Sequence, residues 1–394
     1  MENNSSSPGP ATLEMLRSLV SFDTTSFRSN LELIDYVNEY LTGLGVRAKL
    51  DFNKEKTKAN LYAVIGPADR GGIALSGHTD VVPVEGQAWT LDPWELTIKD
   101  DRYYGRGTTD MKGFIAVVLA AVPSFLSAEL LKPIHICLSY DEEIGCLGVR
   151  SLLRYLETRH NRPEICFVGE PTDMEVVIGH KGKLTTRCRV KGQACHSSLA
   201  PQGVNAVEYA ARVITYLSEM ATRKQFEGPF DRAYDVPHST VHTGVIQGGT
   251  MVNVVPEECQ FIFEFRNLPA DSPQAMLNEV RTFAQENLQP AMTTINPETG
   301  FLWEEESSIS GLDTAADAEV VHLAQQFSGS RGTRKVAFGT EAGGFDKSGI
   351  PAIVCGPGSI QQAHKPDEFI QASQLAACEV FIKNIVEHLR AARV

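Results

Sequence analysis

Features that would mark a nucleic-acid-binding or membrane protein are missing from the 394-residue sequence. It has no lysine or arginine cluster, and 36 basic against 49 acidic residues give a formal net charge of −13, so nucleic acid is not an expected partner. The longest apolar run, residues 113–126, contains Pro123 and falls well short of the roughly 20 residues that cross a bilayer. We therefore expect no membrane association.

Targeting and disulfide signals are equally scarce. The first ten residues, MENNSSSPGP, lack the basic start and the apolar centre of a signal peptide. The eight cysteines form no Cys-x-x-Cys pair, and several, such as Cys137 and Cys355, fall in apolar strand-like runs. Reduced core thiols in a cytoplasmic protein are therefore expected, with no cysteine bound to metal.

What is present is an ordinary globular composition, 42% apolar and 22% charged, in a chain too long for one ordinary core. Strand and helix patterns alternate over residues 1–181 and again over 309–394, which favours an α/β domain with a mainly parallel sheet between two helical layers. Residues 182–308 read strand, helix, two strands, helix and strand, a ferredoxin-like α+β insert. The closing strand of the insert is expected near 292–303, and the glycine-rich stretch 339–344 is expected to be a loop.

Acidic side chains and a histidine stand where predicted strands end. His78 and Asp80 follow an apolar run and share one face of an extended chain, although such a pair alone more often marks a structural hydrogen bond. Asp110 lies in a loop before an apolar helix, and both residues 141–143 (DEE) and Glu170 follow apolar strands. Because ligands bind beyond the carboxyl ends of parallel strands, these side chains are expected at one rim.

Such a concentration of like charge is unfavourable unless a cation holds it, although acids also favour the start of a helix. With His364 from a late loop, the set mixes histidine and carboxylate without cysteine, a combination that suits zinc, manganese or cobalt. The acids are more numerous than one divalent ion needs. Two ions that share a bridging carboxylate would neutralise them.

The motifs are more specific together than singly. The series resembles that of the di-zinc aminoacylase and carboxypeptidase family, from about residue 11 to the C-terminus. This resemblance implies a metal-dependent amidohydrolase whose catalytic α/β domain, residues 1–181 and 309–394, is interrupted by a dimerisation and lid domain, residues 182–308. The motifs that carry it, in family order, are His78-x-Asp80, residues 107–113 (GTTDMKG), 141–145 (DEEIG), 169–171 (GEP) and the late His364.

The resemblance also implies a role for each motif residue. Two divalent ions are expected, zinc in the first place, with cobalt or manganese as alternatives. Glu142 would act as general base, Asp80 would stand behind His78, and the peptide bond between Asp110 and Met111 would be cis. The implied ligands are Asp110 as the bridge, His78 and Glu170 at one ion, and Glu143 and His364 at the other.

Residues of the insert would complete the site. His196 matches a histidine that relatives use to stabilise the tetrahedral oxyanion from the other subunit of a homodimer, and a capping or core histidine is the alternative. Asn253 and Arg266 are candidate substrate contacts, Arg266 either as a bidentate partner for an α-carboxylate or as an ordinary exposed arginine. Residues 180–182 are either a hinge or substrate-adjacent residues, and the resemblance favours a hinge, because relatives open and close the insert over the site. Outside the insert, Glu341 could meet a cationic substrate side chain.

The substrate class follows from the same resemblance. Residues 356–360 (GPGSI), 362–368 (QAHKPDE) and 340–342 (TEA) are most similar to the branch of the family that hydrolyses N-acetylornithine to ornithine and acetate in arginine biosynthesis. Another N-acyl amino acid, succinyl-diaminopimelate, or a dipeptidase or carboxypeptidase activity are the alternatives within the family. A metal-binding scaffold without catalysis is disfavoured because Glu142 and every implied ligand are present. A di-zinc phosphohydrolase is disfavoured because no glycine loop is paired with arginines.

Overall fold

The structure, a computed structural model that describes residues 7–390, divides into two compact units. The first unit comprises residues 7–179 together with Leu312–Lys335 and residues 340–390. The second comprises His180–Gly311 and Val336–Gly339. Within residues 7–390, no helix combines the length and the apolar character needed to span a bilayer. One unit therefore interrupts the other along the chain.

The segment before the interruption alternates helices with strands. Four of its strands, those that begin at Ile73, Ile134, Ile165 and Val176, are buried along their whole length. Continuous buried runs of this kind are typical of parallel strands covered on both faces. In chain order the elements are α1 (Pro10–Val20), α2 (Leu31–Gly43), β1 (Ala48–Phe52), β2 (Ala59–Ile65), β3 (Ile73–His78), β4 (Thr97–Lys99), β5 (Arg102–Tyr104), α3 (Lys112–Ala120), α4 (Val122–Ser127), β6 (Ile134–Ser139), α5 (Val149–Glu157), β7 (Ile165–Pro171) and β8 (Val176–His180).

Two strands of the second unit, those that begin at Gly182 and Glu258, bury alternate residues, because only one face of each strand turns toward the helices. Leu184, Cys188 and Val190 of one strand share an apolar core with Val213 and Leu277 of two helices. In chain order the elements are β9 (Gly182–Lys191), a 3-10 turn (Ser197–Gln202), α6 (Ala206–Glu227), β10 (Thr240–Gly248), β11 (Glu258–Asn267), α7 (Pro273–Phe283), a π-helical turn (Ala284–Leu288), α8 (Gln289–Ile295) and β12 (Gly300–Ile309).

The strands of the second unit lie in the order β10, β11, β9, β12, and every neighbouring pair is antiparallel. With α6 and α7 as the connecting helices, this is the ferredoxin-like arrangement predicted from the sequence. The predicted closing strand near 292–303 is wrong in its first half, because α8 continues to Ile295 and the strand begins only at Gly300. Pro290 in the first turn of α8 has the fixed φ of a helix start and favours the helix there.

The segment after the interruption completes the first unit. The predicted loop at 339–344 is wrong in part, since a helix begins at Ala342, whose backbone N–H donates to Thr340 Oγ1 at 3.1 Å. Phe345 of this helix is fully buried, and its burial outweighs the poor helix propensity of the two preceding glycines. In chain order the elements are β13 (Leu312–Asp313), α9 (Glu319–Ser328), β14 (Thr333–Val336), α10 (Ala342–Lys347), β15 (Ala352–Gly356), β16 (Phe369–Gln371) and α11 (Ala372–Leu389).

The large sheet of the first unit has the strand order β1, β2, β6, β3, β7, β15, β8, β13, with β14 beside β8. Its four central strands, β6, β3, β7 and β15, run parallel. Antiparallel pairing occurs toward the edges, at β1, β2 and β8. The α/β class with a mainly parallel central sheet is thereby confirmed. A small antiparallel sheet of β16, β5 and β4 was not predicted.

A buried histidine makes the stability of the first unit sensitive to acid. His135 on β6 is fully buried, and its Nδ1 lies 2.7 Å from the hydroxyl of Tyr62 on β2. Burial lowers the pKa of His135 to about 4, against roughly 6.5 in an unfolded chain. Between these pH values the unfolded chain binds a proton at this histidine that the folded chain does not, so the contribution of His135 to the free energy of unfolding falls as the pH is lowered. The full loss is roughly 3 kcal/mol.

Replacing His135 by phenylalanine is expected to flatten the pH dependence of the unfolding free energy between about pH 6.5 and about pH 4, because the titrating ring is gone. Urea unfolding of wild type and variant across this range, with a chelator present, measures the difference. His160→Phe, which changes an exposed histidine, should retain the wild-type slope. A His135→Phe variant that loses stability with acid as steeply as the wild type would contradict the assignment.

Candidate metal centre

Five side chains converge at the carboxyl ends of the parallel strands in the first unit. His78 ends β3, and Glu170 lies near the end of β7. Asp110 stands in the turn before α3, Glu143 follows β6, and His364 lies in the loop between β15 and β16. Parallel strands present their carboxyl ends at one edge of a sheet, which is why ligands so distant in the chain meet there.

The first cluster consists of His78, Asp110 and Glu170, all of them buried. His78 Nε2 lies 3.0 Å from Asp110 Oδ1 and 3.6 Å from Glu170 Oε1. The three candidate ligand atoms lie within 4.8 Å of one another. One imidazole nitrogen and two carboxylate oxygens form a donor set that suits zinc.

The second cluster shares Asp110 and adds Glu143 and His364. His364 Nε2 lies 3.2 Å from Asp110 Oδ2 and 3.1 Å from the Glu143 carboxylate, so the two oxygens of Asp110 face different clusters. A carboxylate in this position can bridge two ions. The peptide bond between Asp110 and Met111 is cis, as the resemblance implies.

The protonation of these side chains reflects their burial and mutual repulsion. Burial, with repulsion from Asp110, raises the pKa of Glu170 well above its ordinary value and that of Glu143 to about 7. Hydrogen bonds to Asp110 and Glu143 raise the pKa of His364 to about 10. Burial would lower the pKa of His78, but the nearby carboxylates, Glu170 first, outweigh it and leave that pKa well above the ordinary value. Divalent cations would replace these protons, so the charge of the donor set fits metal binding.

Asp80 supports the centre in two ways: its backbone carbonyl faces His78, and its carboxylate holds the turn that follows β6. His78 Nδ1 lies 2.9 Å from the backbone carbonyl of Asp80 and 3.6 Å from the Asp80 carboxylate, so the carbonyl is the closer acceptor and Nε2 is left available to a metal ion. The Asp80 carboxylate accepts the backbone N–H groups of Glu142 at 3.0 Å and Glu143 at 3.3 Å. It also accepts the hydroxyl of Ser26 at 2.8 Å. Asp80 thereby fixes the turn that follows β6.

Glu142 lies next to the clusters but belongs to neither. Its side chain is 8% exposed, and the thiol of Cys146 donates to Glu142 Oε1 at 3.2 Å. Burial, with repulsion from Glu143, raises the pKa of Glu142 to about 8. A carboxyl group with a raised pKa beside candidate metal ligands has the properties of a general acid–base catalyst.

Glu341, expected in a loop, is buried at the start of α10 and only 1% exposed. Its carboxylate accepts the hydroxyl of Ser76 at 3.3 Å and that of Ser139. These serines come from β3 and β6, so Glu341 is held against the same two strands that lead to His78 and to the Asp-Glu-Glu turn.

Three candidates lie in the second unit. His196 is exposed, and its Nδ1 accepts the backbone N–H of Ser198 at 3.2 Å, which leaves Nε2 to carry the proton. Asn253 is also exposed, and its backbone carbonyl accepts the backbone N–H of Ser197 at 3.0 Å. Asn253 therefore lies beside His196.

Arg266 was expected to offer its guanidinium to a substrate carboxylate or to be an ordinary exposed side chain. It is half-buried, and its Nε donates to Glu264 at 3.0 Å on the same strand. At the predicted hinge, His180 and Lys181 are buried, and Lys181 Nζ donates to the carbonyl of His238 at 2.6 Å.

Comparison with known sequences identifies the family. Residues 74–388 match the sequence profile of peptidase family M20/M25/M40. The chain belongs to this family. A Myxococcus xanthus protein named acetylornithine deacetylase is 37% identical to this chain over 391 residues. The alignment covers 96% of this chain and 97% of that protein. An acetylornithine deacetylase from Pasteurella multocida is 34% identical over 371 residues, 92% and 94% of the two chains. The resemblance inferred from the motifs is confirmed.

Solved structures with the same fold are more distant in sequence. An M20 family metallo-carboxypeptidase from Sulfolobus solfataricus gives a TM-score of 0.75 at 19% identity and covers 96% of this chain and 99% of its own. Aminopeptidase PepT from Bacillus cereus gives 0.72 at 20% identity, with 98% and 100% covered. A Bacillus subtilis protein described as a dinuclear metal binding peptidase from the M20 family gives 0.66 at 15% identity, with 96% and 97% covered. These likenesses establish the M20 fold of the chain.

The sequence alone did not reveal the hydroxyl and thiol groups that surround the two candidate metal clusters. Ser26, Ser76 and Ser139 contact Asp80 or Glu341, and Cys146 contacts Glu142. Serine in a strand or loop carries no signal of its own. The parallel pairing of β3 with β6, which sets Ser76 opposite Cys137 and His78 opposite Ser139, is the information that would have revealed two of them.

Proposed function

We propose that this chain hydrolyses the amide bond of N-acetylornithine and releases ornithine and acetate, a reaction of arginine biosynthesis. The observation that carries the proposal is the pair of His and carboxylate clusters that share Asp110. The choice of substrate rests on relatives at 37% and 34% identity over nearly the whole chain, both named acetylornithine deacetylase.

The proposed centre divides the chemistry between ions and side chains. His78, Glu170 and Asp110 would hold one divalent ion, and Glu143, His364 and Asp110 the other, with zinc, cobalt or manganese compatible with these donors. When bound, the ions would act as Lewis acids and lower the pKa of a water molecule. Glu142 would accept a proton from that water and return it to the leaving nitrogen of ornithine. Asp80 would keep the turn that carries Glu142 and Glu143 in place.

The second unit would supply the remaining groups from a partner subunit. We propose a homodimer formed through this unit, because β10 is an edge strand and its Val245 and Ile246 are 43% and 51% exposed, which suits pairing with a second edge. His196 would donate Nε2–H to the oxyanion. Asn253 and Arg266 would contact the substrate, and for Arg266 this requires release from Glu264.

Substrate recognition and location complete the proposal. Glu341 would favour the cationic side chain of ornithine through its negative charge, and direct contact would require its release from Ser76 and Ser139. We place the protein in the cytoplasm, because all eight cysteines lie in the described part of the chain and are free thiols, as a reducing compartment keeps them.

Metal-free protein is expected to release no acetate from N-acetylornithine, and added zinc, cobalt or manganese is expected to restore release, because the clusters cannot polarise the amide by themselves. Acetate and free amine are measured with N-acetylornithine, an N-acetylated neutral amino acid, N-succinyl-diaminopimelate and a dipeptide. We expect the highest kcat/KM for N-acetylornithine. A higher value for the succinyl substrate or the dipeptide would replace the proposed substrate by that alternative, and metal-independent turnover would refute the proposed centre.

A further inference from the structure

A buried carboxylate outside both clusters is saturated with N–H donors. Glu368 is 1% exposed. Its Oε2 accepts Arg106 Nη1 at 2.8 Å and the backbone N–H of Gly107 at 3.0 Å. Its Oε1 accepts the backbone N–H groups of Thr109 at 2.9 Å and Asp110 at 3.1 Å. One side chain therefore holds the backbone of the loop 106–110, up to the residue shared by the two clusters.

The same carboxylate belongs to the segment that carries His364. Further contacts tie this segment to neighbouring loops: Gln87 Nε2 donates to the carbonyl of His364 at 3.0 Å, Arg106 Nη1 lies 3.4 Å from the carbonyl of Lys365, and Asp367 Oδ1 accepts the backbone N–H of Thr90 at 2.9 Å. Gln87 Oε1 in turn accepts Arg106 Nη2 at 2.5 Å. Glu368, Arg106 and Gln87 thus connect the loop of Asp110 with the loop of His364.

The two clusters differ in how their ligands are supported. His78 and Glu170 of the first cluster lie on β3 and β7, where the backbone is fixed by sheet hydrogen bonds. His364 of the second cluster lies on a loop, with a side chain that is 51% exposed. A ligand on a loop keeps its geometry only if neighbouring contacts fix the loop. The contacts that fix this one include those of Glu368, Gln87 and Asp367.

We infer that Glu368 is a positioning residue, which holds Asp110 and His364 at the spacing needed to bind the second ion. The inference rests on the proposed two-ion centre. Charge-assisted hydrogen bonds from four donors to one buried carboxylate are strong, and donors left without an acceptor in the interior are costly. Asp110 serves both sites, but the other two ligands of the first site, His78 and Glu170, lie on strands. Loss of the Glu368 charge should therefore loosen the second site more than the first.

Glu368→Gln tests this role because the amide cannot accept all four N–H groups. Metal-free protein is titrated with zinc by calorimetry, and bound zinc is counted after dialysis. Wild type is expected to bind two ions per chain. The variant is expected to bind one ion with little change and the other roughly 10- to 100-fold more weakly, the usual effect of removing a group that orients metal ligands. Circular dichroism and thermal unfolding establish that the variant is folded.

Glu379→Gln is the matched control. Glu379 also accepts a backbone N–H, that of Gly9 at 2.9 Å, and the hydroxyl of Thr12, but it supports the start of α1 and neither ligand loop. It should bind two ions as the wild type does, even if its melting temperature falls. If Glu368 had a purely structural role, Glu368→Gln would give the same result as this control, namely lower thermal stability with unchanged zinc affinity.

Gln87→Leu keeps the inference testable if Glu368→Gln does not fold. This variant removes the donor to the His364 carbonyl and leaves Glu368 in place, so a smaller weakening of the second ion alone is expected. If Glu368→Gln folds and still binds two ions tightly, the inference is overturned and the proposed function stands. If Glu368→Gln does not fold, two tightly bound ions in Gln87→Leu would have the same meaning. A wild-type chain that binds fewer than two ions would overturn both.

Discussion

Replacing Glu142 by alanine is expected to lower the turnover of N-acetylornithine by about 10²- to 10⁴-fold, the usual contribution of a general acid–base group. Zinc content and fold should not change, because Glu142 belongs to neither ligand cluster and its backbone N–H, held by Asp80 at 3.0 Å, survives the substitution. Saturating kinetics and metal analysis on the same preparation measure both quantities. The loss should appear in kcat rather than in KM, since proton transfer belongs to the reaction and not to substrate binding.

The neighbouring acid provides the control for this substitution. Asp141 forms an ion pair with Lys58 and lies outside both clusters, so Asp141→Asn is expected to retain most of the turnover. Near-normal turnover by Glu142→Ala would exclude Glu142 as the base. Loss of zinc from that variant would instead show that the side chain helps to hold an ion.

Two inactive variants, His196→Ala and Glu142→Ala, are expected to regain about a quarter of wild-type turnover when their subunits are mixed. Random pairing makes half of the dimers mixed, and each mixed dimer has one complete site if His196 acts across the interface. His196→Ala alone should lose about 10²- to 10³-fold in kcat, as expected for one donor to an oxyanion. The exposed position of His196 in the second unit, with Nδ1 occupied by Ser198, leaves Nε2–H available as that donor.

The matched control places both substitutions in one chain and mixes it with wild type. Mixed dimers of that pair would contain no complete site if His196 acts in trans, so the activity should fall below that of wild type diluted with buffer to the same wild-type concentration. A mixture of the two single variants that stays inactive, although mixed dimers are present by mass spectrometry, would show that His196 does not act across subunits.

The fold was predictable where one segment of sequence decides it. Continuous apolar runs such as those of β6 and β7 predict buried strands by themselves, and the strand and helix order of residues 182–308 predicts a ferredoxin-like unit. The errors fall where tertiary contacts override local preference. Burial of Phe345 supports a helix in a glycine-rich stretch, and the pairing of β16 with β5 joins strands of three residues each, which are too short to leave a pattern.

The candidate ligands were predictable for a different reason: carboxylates and histidines at strand ends are costly without a partner, so their sequence positions carry information. The supporting groups are not. Glu368 binds the backbone N–H groups of residues 107, 109 and 110, and any sequence offers such N–H groups. Asp80 was expected behind His78, and its carboxylate lies 3.6 Å from His78 Nδ1. The hydrogen bonds of that carboxylate to the Glu142–Glu143 turn were not expected, because they depend on where β6 ends relative to β3.

The position of β15 in the large sheet determines the order in which parts of the chain can fold during translation. In the large sheet the neighbours of β8 are β15, β13 and β14, and all of them are translated after the interrupting unit. As the chain leaves the ribosome, residues 180–311 can fold as a unit while β7 and β8 still wait for the strand that lies between them. His364 emerges later still. A nascent chain therefore cannot assemble the proposed centre until β15 and the loop that carries His364 have been synthesised.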